Sequence, residues 1–203
     1  MGAGSGKYVS RGGDKLQAAL AAFDLDVRGW VCADFGCHVG GFTDCLLQHG
    51  AAKVYAVDTG YGTLAWKLRR DGRVVVMERT NALYAEPPEP VDLVTIDAGW
   101  TVQQRVIPVA QRWLRTDSAG RPVGKVLSLL KPQYELAKLQ QRKVTAALTT
   151  EQARGVCLEV CQRLAELDCG PVAVATSALT GKAGGAEFLL FFEFGPPPGA
   201  STE

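Results

Sequence analysis

Between Trp30 and Glu193, short apolar runs rich in β-branched residues alternate with longer segments of helical period. No other feature limits the fold so strongly, because strands joined through helices rejoin one sheet in parallel by right-handed crossovers. Residues 30–35 read as a first strand, and 41–49 as a helix stopped by Gly50. Residues 53–57, 74–77 and 91–96 read as three further strands, with helices over 63–70 and 103–114. A proline-rich connector runs through Pro87, Pro88 and Pro90, and 118–124 reads as a turn-rich loop. Residues 125–130 form a fifth strand that Pro132 ends. A long helix follows over 150–167, with Val156, Val160 and Leu164 on its apolar face. The last strands are 171–175 and 187–194; no helix-length link separates them, so they are expected to pair antiparallel. The expected fold is α/β and Rossmann-like: seven strands, mainly parallel, the last one antiparallel, with helices on both faces. Residues 1–6 and 195–203 are expected to be flexible ends around one domain over 7–194.

Composition narrows the function classes. Apolar residues make up 47% and charged residues 21%, enough apolar surface to exclude a disordered chain. No apolar run approaches the ~18 residues a membrane helix needs; the longest candidate is 188–192, a strand-length patch. Lys and Arg total 22 against 21 Asp and Glu, so any nucleic-acid affinity must come from a local patch or a partner. Local excesses lie at Lys7, Arg11 and Lys15, at Lys67, Arg69, Arg70 and Arg73, and at Lys138, Arg142 and Lys143. The six cysteines form no C-x-x-C pair and the two histidines lack metal-like spacing, so no metal is expected. The first residues lack the positive-then-apolar layout of a secretory signal, and reduced thiols in a cytoplasmic protein are the simplest reading.

In open α/β sheets, ligands bind beyond the carboxyl ends of the strands, at the switch point. The first strand leads there into Gly36-Cys-His-Val-Gly-Gly41, flanked by Asp34 and Asp44. The second ends at Asp58, the third at Glu78 and Asn81, the fourth at Asp97 and the fifth at Lys131. Polar side chains thus converge on one edge. The glycine spacing is G-x-x-x-G-G, with His38 where a dinucleotide loop needs glycine, so no phosphate cradle is evident. Such a loop, followed by an acid ending strand two, suits S-adenosyl-L-methionine (SAM). Its ribose hydroxyls want an acceptor such as Asp58, and Asn81 could hydrogen-bond its adenine. The competing reading of Asp58 is a turn residue in Asp58-Thr-Gly60.

The segments Tyr8-Val-Ser-Arg-Gly-Gly-Asp-Lys-Leu16, Gly40-Gly-Phe-Thr-Asp44, Val54-Tyr-Ala-Val-Asp58, Leu64-Ala-Trp-Lys-Leu68, Glu78-Arg-Thr-Asn81 and Leu130-Lys-Pro-Gln-Tyr-Glu135 closely resemble the hemolysin A (TlyA)-type members of the FtsJ-like ribosomal RNA methyltransferases. The resemblance covers residues 7–194. It implies SAM-dependent methylation of a ribose 2′-hydroxyl in RNA, with ribosomal RNA or a ribosomal subunit as partner and no membrane. The family's Lys-Asp-Lys-Glu catalytic tetrad falls on Lys15, Asp97, Lys131 and Glu187. Cofactor contacts fall on Gly36, Gly40, Phe42, Asp58, Asn81 and the edge of Asp97.

Three departures stand out. Family members usually carry a small N-terminal RNA-binding domain, and this sequence begins where that domain would end, which makes a separate RNA-binding partner an expectation. Cys37-His38-Val39 replaces small or hydroxyl residues, so the imidazole is expected to narrow the methionine end of the pocket. Ala98-Gly-Trp100 replaces Ser-Phe in a stretch that faces the acceptor.

Within the tetrad, Lys131 either accepts the hydroxyl proton or stabilises the developing alkoxide, oriented by Asp97, while Lys15 and Glu187 complete the network. Structural alternatives stand beside these roles: a solvated Lys131, Asp97 as a helix N-cap, Lys15 on a helix surface, and Glu187 as an edge-strand charge. Phe42, Trp66 and Trp113 read as core residues, and Cys37 as a thiol lining the cofactor pocket. Rival functions are methylation of a non-RNA substrate and non-catalytic RNA or SAM binding. Membrane lysis finds no basic amphipathic helix to perform it.

Overall fold

The computed structural model describes residues 6–140, 148–177, 179 and 185–195. The expected flexible ends lie outside these residues, apart from Gly6 and Gly195. In chain order the elements are α1 (Arg11–Ala22), β1 (Val31–Phe35), α2 (Gly41–Gln48), β2 (Lys53–Val57), α3 (Trp66–Arg69), β3 (Val74–Met77), β4 (Leu93–Ile96), α4 (Gln103–Trp113), β5 (Arg115–Thr116), β6 (Pro122–Leu130), α5 (Pro132–Leu139), α6 (Thr150–Ala165), β7 (Ala173–Thr176) and β8 (Phe188–Phe194).

The sheet order is β3-β2-β1-β4-β6-β8-β7, with the two-residue β5 paired to β6 off this path. Strands β1 to β4 and β6 run parallel. Strand β8 is inserted antiparallel between β6 and β7, as the missing helical link between the last strands predicts. β1 pairs with both β2 and β4, so the chain reverses its direction of winding there. That reversal opens a crevice beyond the end of β1.

The central strands are buried on both faces and therefore read as near-continuous apolar runs. One face packs against α4 and α6, where Trp113 and Phe35 meet edge-on at 4.9 Å. The other face packs against α1, α2 and the Leu64–Leu68 segment. Among the described residues, no helix is long and apolar enough to cross a membrane.

The structure adds α1, β5 and α5 to the elements read from the sequence and shortens the helix over 63–70 to α3, and two of the differences have a clear local cause. The 118–124 segment is a hairpin turn and not merely a loop. The Asp117 carboxylate accepts from the Ala119 and Arg121 amides, both at 2.9 Å, and the ladder begins at Pro122. Pro132 ends β6 as expected, but it also occupies the first turn of α5, where its missing N–H costs nothing.

Candidate active site

The edge chemistry follows from strand register. The last β6–β8 pair is Leu130 with Phe188, so Lys131 and Glu187 come next in line beyond it. The last β1–β4 pair is Phe35 with Ile96, which sets Gly36 beside Asp97. The Lys131 amine forms an ion pair with Asp97, the two side chains being 19% and 26% exposed. Asp97 Oδ1 is enclosed, and its contact with the amine lacks hydrogen-bond alignment. A second ion pair joins Lys15 to Glu187, with side chains only 9% and 7% exposed. The four predicted residues thus form two ion pairs along one sheet edge.

This overturns three of the structural alternatives. Lys15 is buried rather than on a helix surface, and Glu187 is buried rather than blunting an edge. Asp97 is not a helix N-cap, because α4 begins six residues later behind Val102.

Delivery of Lys15 depends on the Ser10-Arg-Gly-Gly13 segment. Ser10 caps α1 by accepting from the Gly12 amide at 3.3 Å. The start of α1 then lies directly on the start of α2. A Cβ at Gly41 would sit 2.2 Å from Ser10 Oγ and 2.9 Å from the Gly13 nitrogen, so only glycine permits this approach. Asp44 fastens the same junction, accepting from the Val9 amide at 2.8 Å and pairing with Lys67 at 2.9 Å.

Gly36, Gly40, Asp58, Asn81 and Asp97 all lie in the segments that leave β1 to β4 at their carboxyl ends. The Gly36 amide donates to Val57 O at 2.8 Å, and Gly40 caps α2. Asp58 accepts from the His38 amide at 2.8 Å and the Gly60 amide at 2.7 Å. It is therefore the turn residue of the alternative reading, yet each carboxylate oxygen keeps a lone pair to spare. His38 itself is exposed. Asn81 Oδ1 accepts from the Leu83 amide at 3.0 Å. Phe42 packs in the hydrophobic layer with α2 and is only 3% exposed, as its core reading expected. Cys37 is buried, and burial pushes its thiol pKa up, so it is no ready nucleophile. Trp113 is core as expected, but Trp66 is not: it is 72% exposed at the start of the one-turn α3.

Three further residues were given no role in the sequence reading. A cleft of about 470 Å³ is lined by Asn81, Tyr84, Trp100, Thr101, Arg105 and Lys138, among others. Thr101 is buried in its wall, and Thr101 Oγ1 has no hydrogen-bond partner among the described residues. Asp34 is fully buried under the glycine loop, accepting from Thr43 N at 2.9 Å, Thr43 Oγ1 at 2.7 Å and Thr95 Oγ1 at 3.3 Å. Burial pushes its carboxyl pKa up to about 7; the Thr43 bonds oppose this and the nearby Asp97 charge adds to it. Glu135 is buried behind Lys131 and bonds to the start of α4. The Asp34–Thr95 and Glu135–Gln103 contacts join distant segments and are invisible in local spacing. Among the described residues no group of His, Cys, Asp and Glu is placed to hold a metal ion.

The model of the FtsJ-like methyltransferase family matches residues 8–194. The 16S/23S rRNA (cytidine-2′-O)-methyltransferase TlyA of Mycobacterium tuberculosis is 40% identical over 187 residues, covering 91% of this chain and 68% of that protein. A solved structure from Streptococcus thermophilus, described as a candidate hemolysin, superposes with a TM-score of 0.81 at 36% identity, covering 92% of this chain and 67% of that one. A similarly described structure from Lactococcus lactis gives a TM-score of 0.81 at 34% identity, covering 92% and 88%.

Proposed function

The chain belongs to the FtsJ-like methyltransferase family, and on that footing we propose that it transfers a methyl group from SAM to a ribose 2′-hydroxyl of ribosomal RNA. The observation that carries this reading is the Asp97–Lys131 ion pair at the sheet edge, with Glu187 next in register and bound to Lys15.

The residues around the crevice fit SAM. Asp58 has acceptor capacity for a ribose, and the Asn81 amide nitrogen has no described hydrogen-bond partner to compete with an adenine. Thr101 offers a buried hydroxyl in the wall of the adjoining cleft. Gly36 and Gly40 let the loop make its close approaches to the Asp97 backbone and to Leu64 and Leu68, where a Cβ would not fit, and Asp97 closes the edge. When bound, SAM supplies a methyl group on a sulfonium, already activated for transfer.

The chain's own task is to hold the ribose oxygen and manage its proton. Asp97 fixes the Lys131 amine at the tip of β6. A hydroxyl brought there either gives up its proton to Lys131 in its neutral amine form or has its growing charge neutralised by Lys131 in its ammonium form. Replacement of Lys131 by Arg separates the two, because guanidinium stays protonated. Retained activity in the Arg variant would rule out the proton acceptor and leave the fixed charge. The buried Lys15–Glu187 pair braces α1 against the sheet and completes the charge network beside Lys131. Ribosomal RNA, naked or within a subunit, is the proposed substrate, with a separate RNA-binding partner assisting, and the cytoplasm is the proposed site of action.

Calorimetric titration with SAM tests the cofactor half of this proposal. The wild-type chain is expected to bind. Asp58→Ala is expected to lose roughly tenfold in affinity, since hydrogen bonds to a charged group contribute ~1.5 kcal/mol or more. An Asp58→Ala variant with unchanged affinity assigns Asp58 to the turn alone.

A further inference from the structure

We infer that Glu135 is a positioning residue for methyl transfer: it clamps the loop that carries Asp97 to the helix that follows Lys131, and so sets the spacing of the two. This rests on the reading of Asp97 and Lys131 as the reacting pair.

The clamp is built from parts that the fold brings together over long sequence distances. Helix α4 begins at Gln103 behind Val102, which has no side chain able to cap it. Its first amide is instead taken by Glu135, a residue of another helix, whose carboxylate oxygens lie 3.1 and 3.3 Å from Gln103 N. Helices usually meet this need with a local Ser, Thr, Asp or Asn. Gln103 is itself buried, and its side-chain oxygen accepts from Ser128 Oγ of β6 at 2.7 Å. Glu135 also belongs to the first turn after Lys131, its amide donating to Lys131 O at 3.1 Å.

These contacts close a ring. From Lys131 the path runs through the first turn of α5 to Glu135, across to Gln103, and back along residues 102–98 to Asp97. The Asp97–Lys131 ion pair completes it. Two fasteners therefore join the same pair of segments, one at the reacting edge and one behind it. The rear fastener is the sheltered one, with Glu135 only 3% exposed. Arg163 of α6 is the opposite charge acting on it. Without Glu135, the helix that follows Lys131 would lose its bond to the far end of a loop containing Gly99, leaving the partly exposed Asp97–Lys131 ion pair to set their spacing.

Four variants, Glu135→Ala, Glu135→Asp, Glu135→Gln and Lys131→Ala, test the clamp in SAM-dependent methyl transfer to ribosomal RNA, with SAM affinity measured by calorimetry. The Ala and Asp variants are expected to lose about tenfold in kcat, with SAM affinity and KM for RNA held within about twofold, because small misplacements cost rate rather than binding. The Gln variant, whose amide oxygen still accepts from Gln103 N, is expected to stay within about threefold of wild type. The inference is overturned if the shortened Asp variant turns over like wild type. It is overturned equally if Gln is as impaired as Ala, or if the loss lies in SAM affinity. If Ala does not fold, the Asp and Gln variants decide alone. An active Lys131→Ala variant instead removes the underlying assignment of the reacting pair, whatever Glu135 does.

Discussion

Replacing Lys131 with Ala is expected to slow methyl transfer by about 10²–10⁴-fold, the range spanned by loss of a positioned proton-transfer group. The expectation holds whether the amine takes the proton or balances the charge on the ribose oxygen, because the substitution removes both possibilities. It also strips Asp97 of its partner. An enclosed carboxylate oxygen is then left facing the place where negative charge must grow. SAM affinity is expected to stay within about twofold, since the proposed cofactor contacts come from the glycine loop, Asp58 and Asn81. A loss of SAM affinity equal to the loss of rate would move Lys131 from the reacting group to cofactor binding.

Gly36→Ala is expected to damage both stability and turnover, through backbone rather than side-chain chemistry. Gly36 has φ +82, a conformation that costs an L-residue ~1–2 kcal/mol. A Cβ there would also lie 2.8 Å from Asp97 O and 3.1 Å from Asp97 C, both backbone atoms that cannot swing aside. Either the glycine loop or the tip of β4 must move, and Asp97 sits on that tip. The expected result is destabilisation of about 2–4 kcal/mol in denaturant melts and a loss of roughly 10²-fold in turnover. A variant that melts and turns over like wild type would mean that the close approach of β1 and β4 ends is not what sets Asp97.

The central strands were legible because parallel strands covered on both sides must be apolar throughout, and the edge strand β3 because its Val74-Val-Val76 run is β-branched. Residues 53–57 and 74–77 coincide with β2 and β3, and the antiparallel insertion of β8 followed from the absence of a helical link. Elements that depend on a side chain bonding its own backbone were harder to see. The Asp117 turn hid the start of β6, and Pro132 announced a strand's end without showing that it also opens a helix.

The edge residues were legible through their positions after strands. Their pairing was not, since Lys15 meets Glu187 across a separation of 172 residues. The same limit hid the roles of Asp34 and Glu135, which bond Thr95 and Gln103 on other elements. Phe42 lies in the hydrophobic layer, as its core reading expected.

Transfer of tritiated methyl from SAM to ribosomal subunits and to naked ribosomal RNA, followed by mapping of the labelled nucleotide, tests the central claim most directly. The expected result is label on a ribose whose 3′ phosphodiester has become resistant to alkali, as methylation of the 2′-oxygen demands. Label on a base or on protein, or no SAM-dependent label at all, would contradict it.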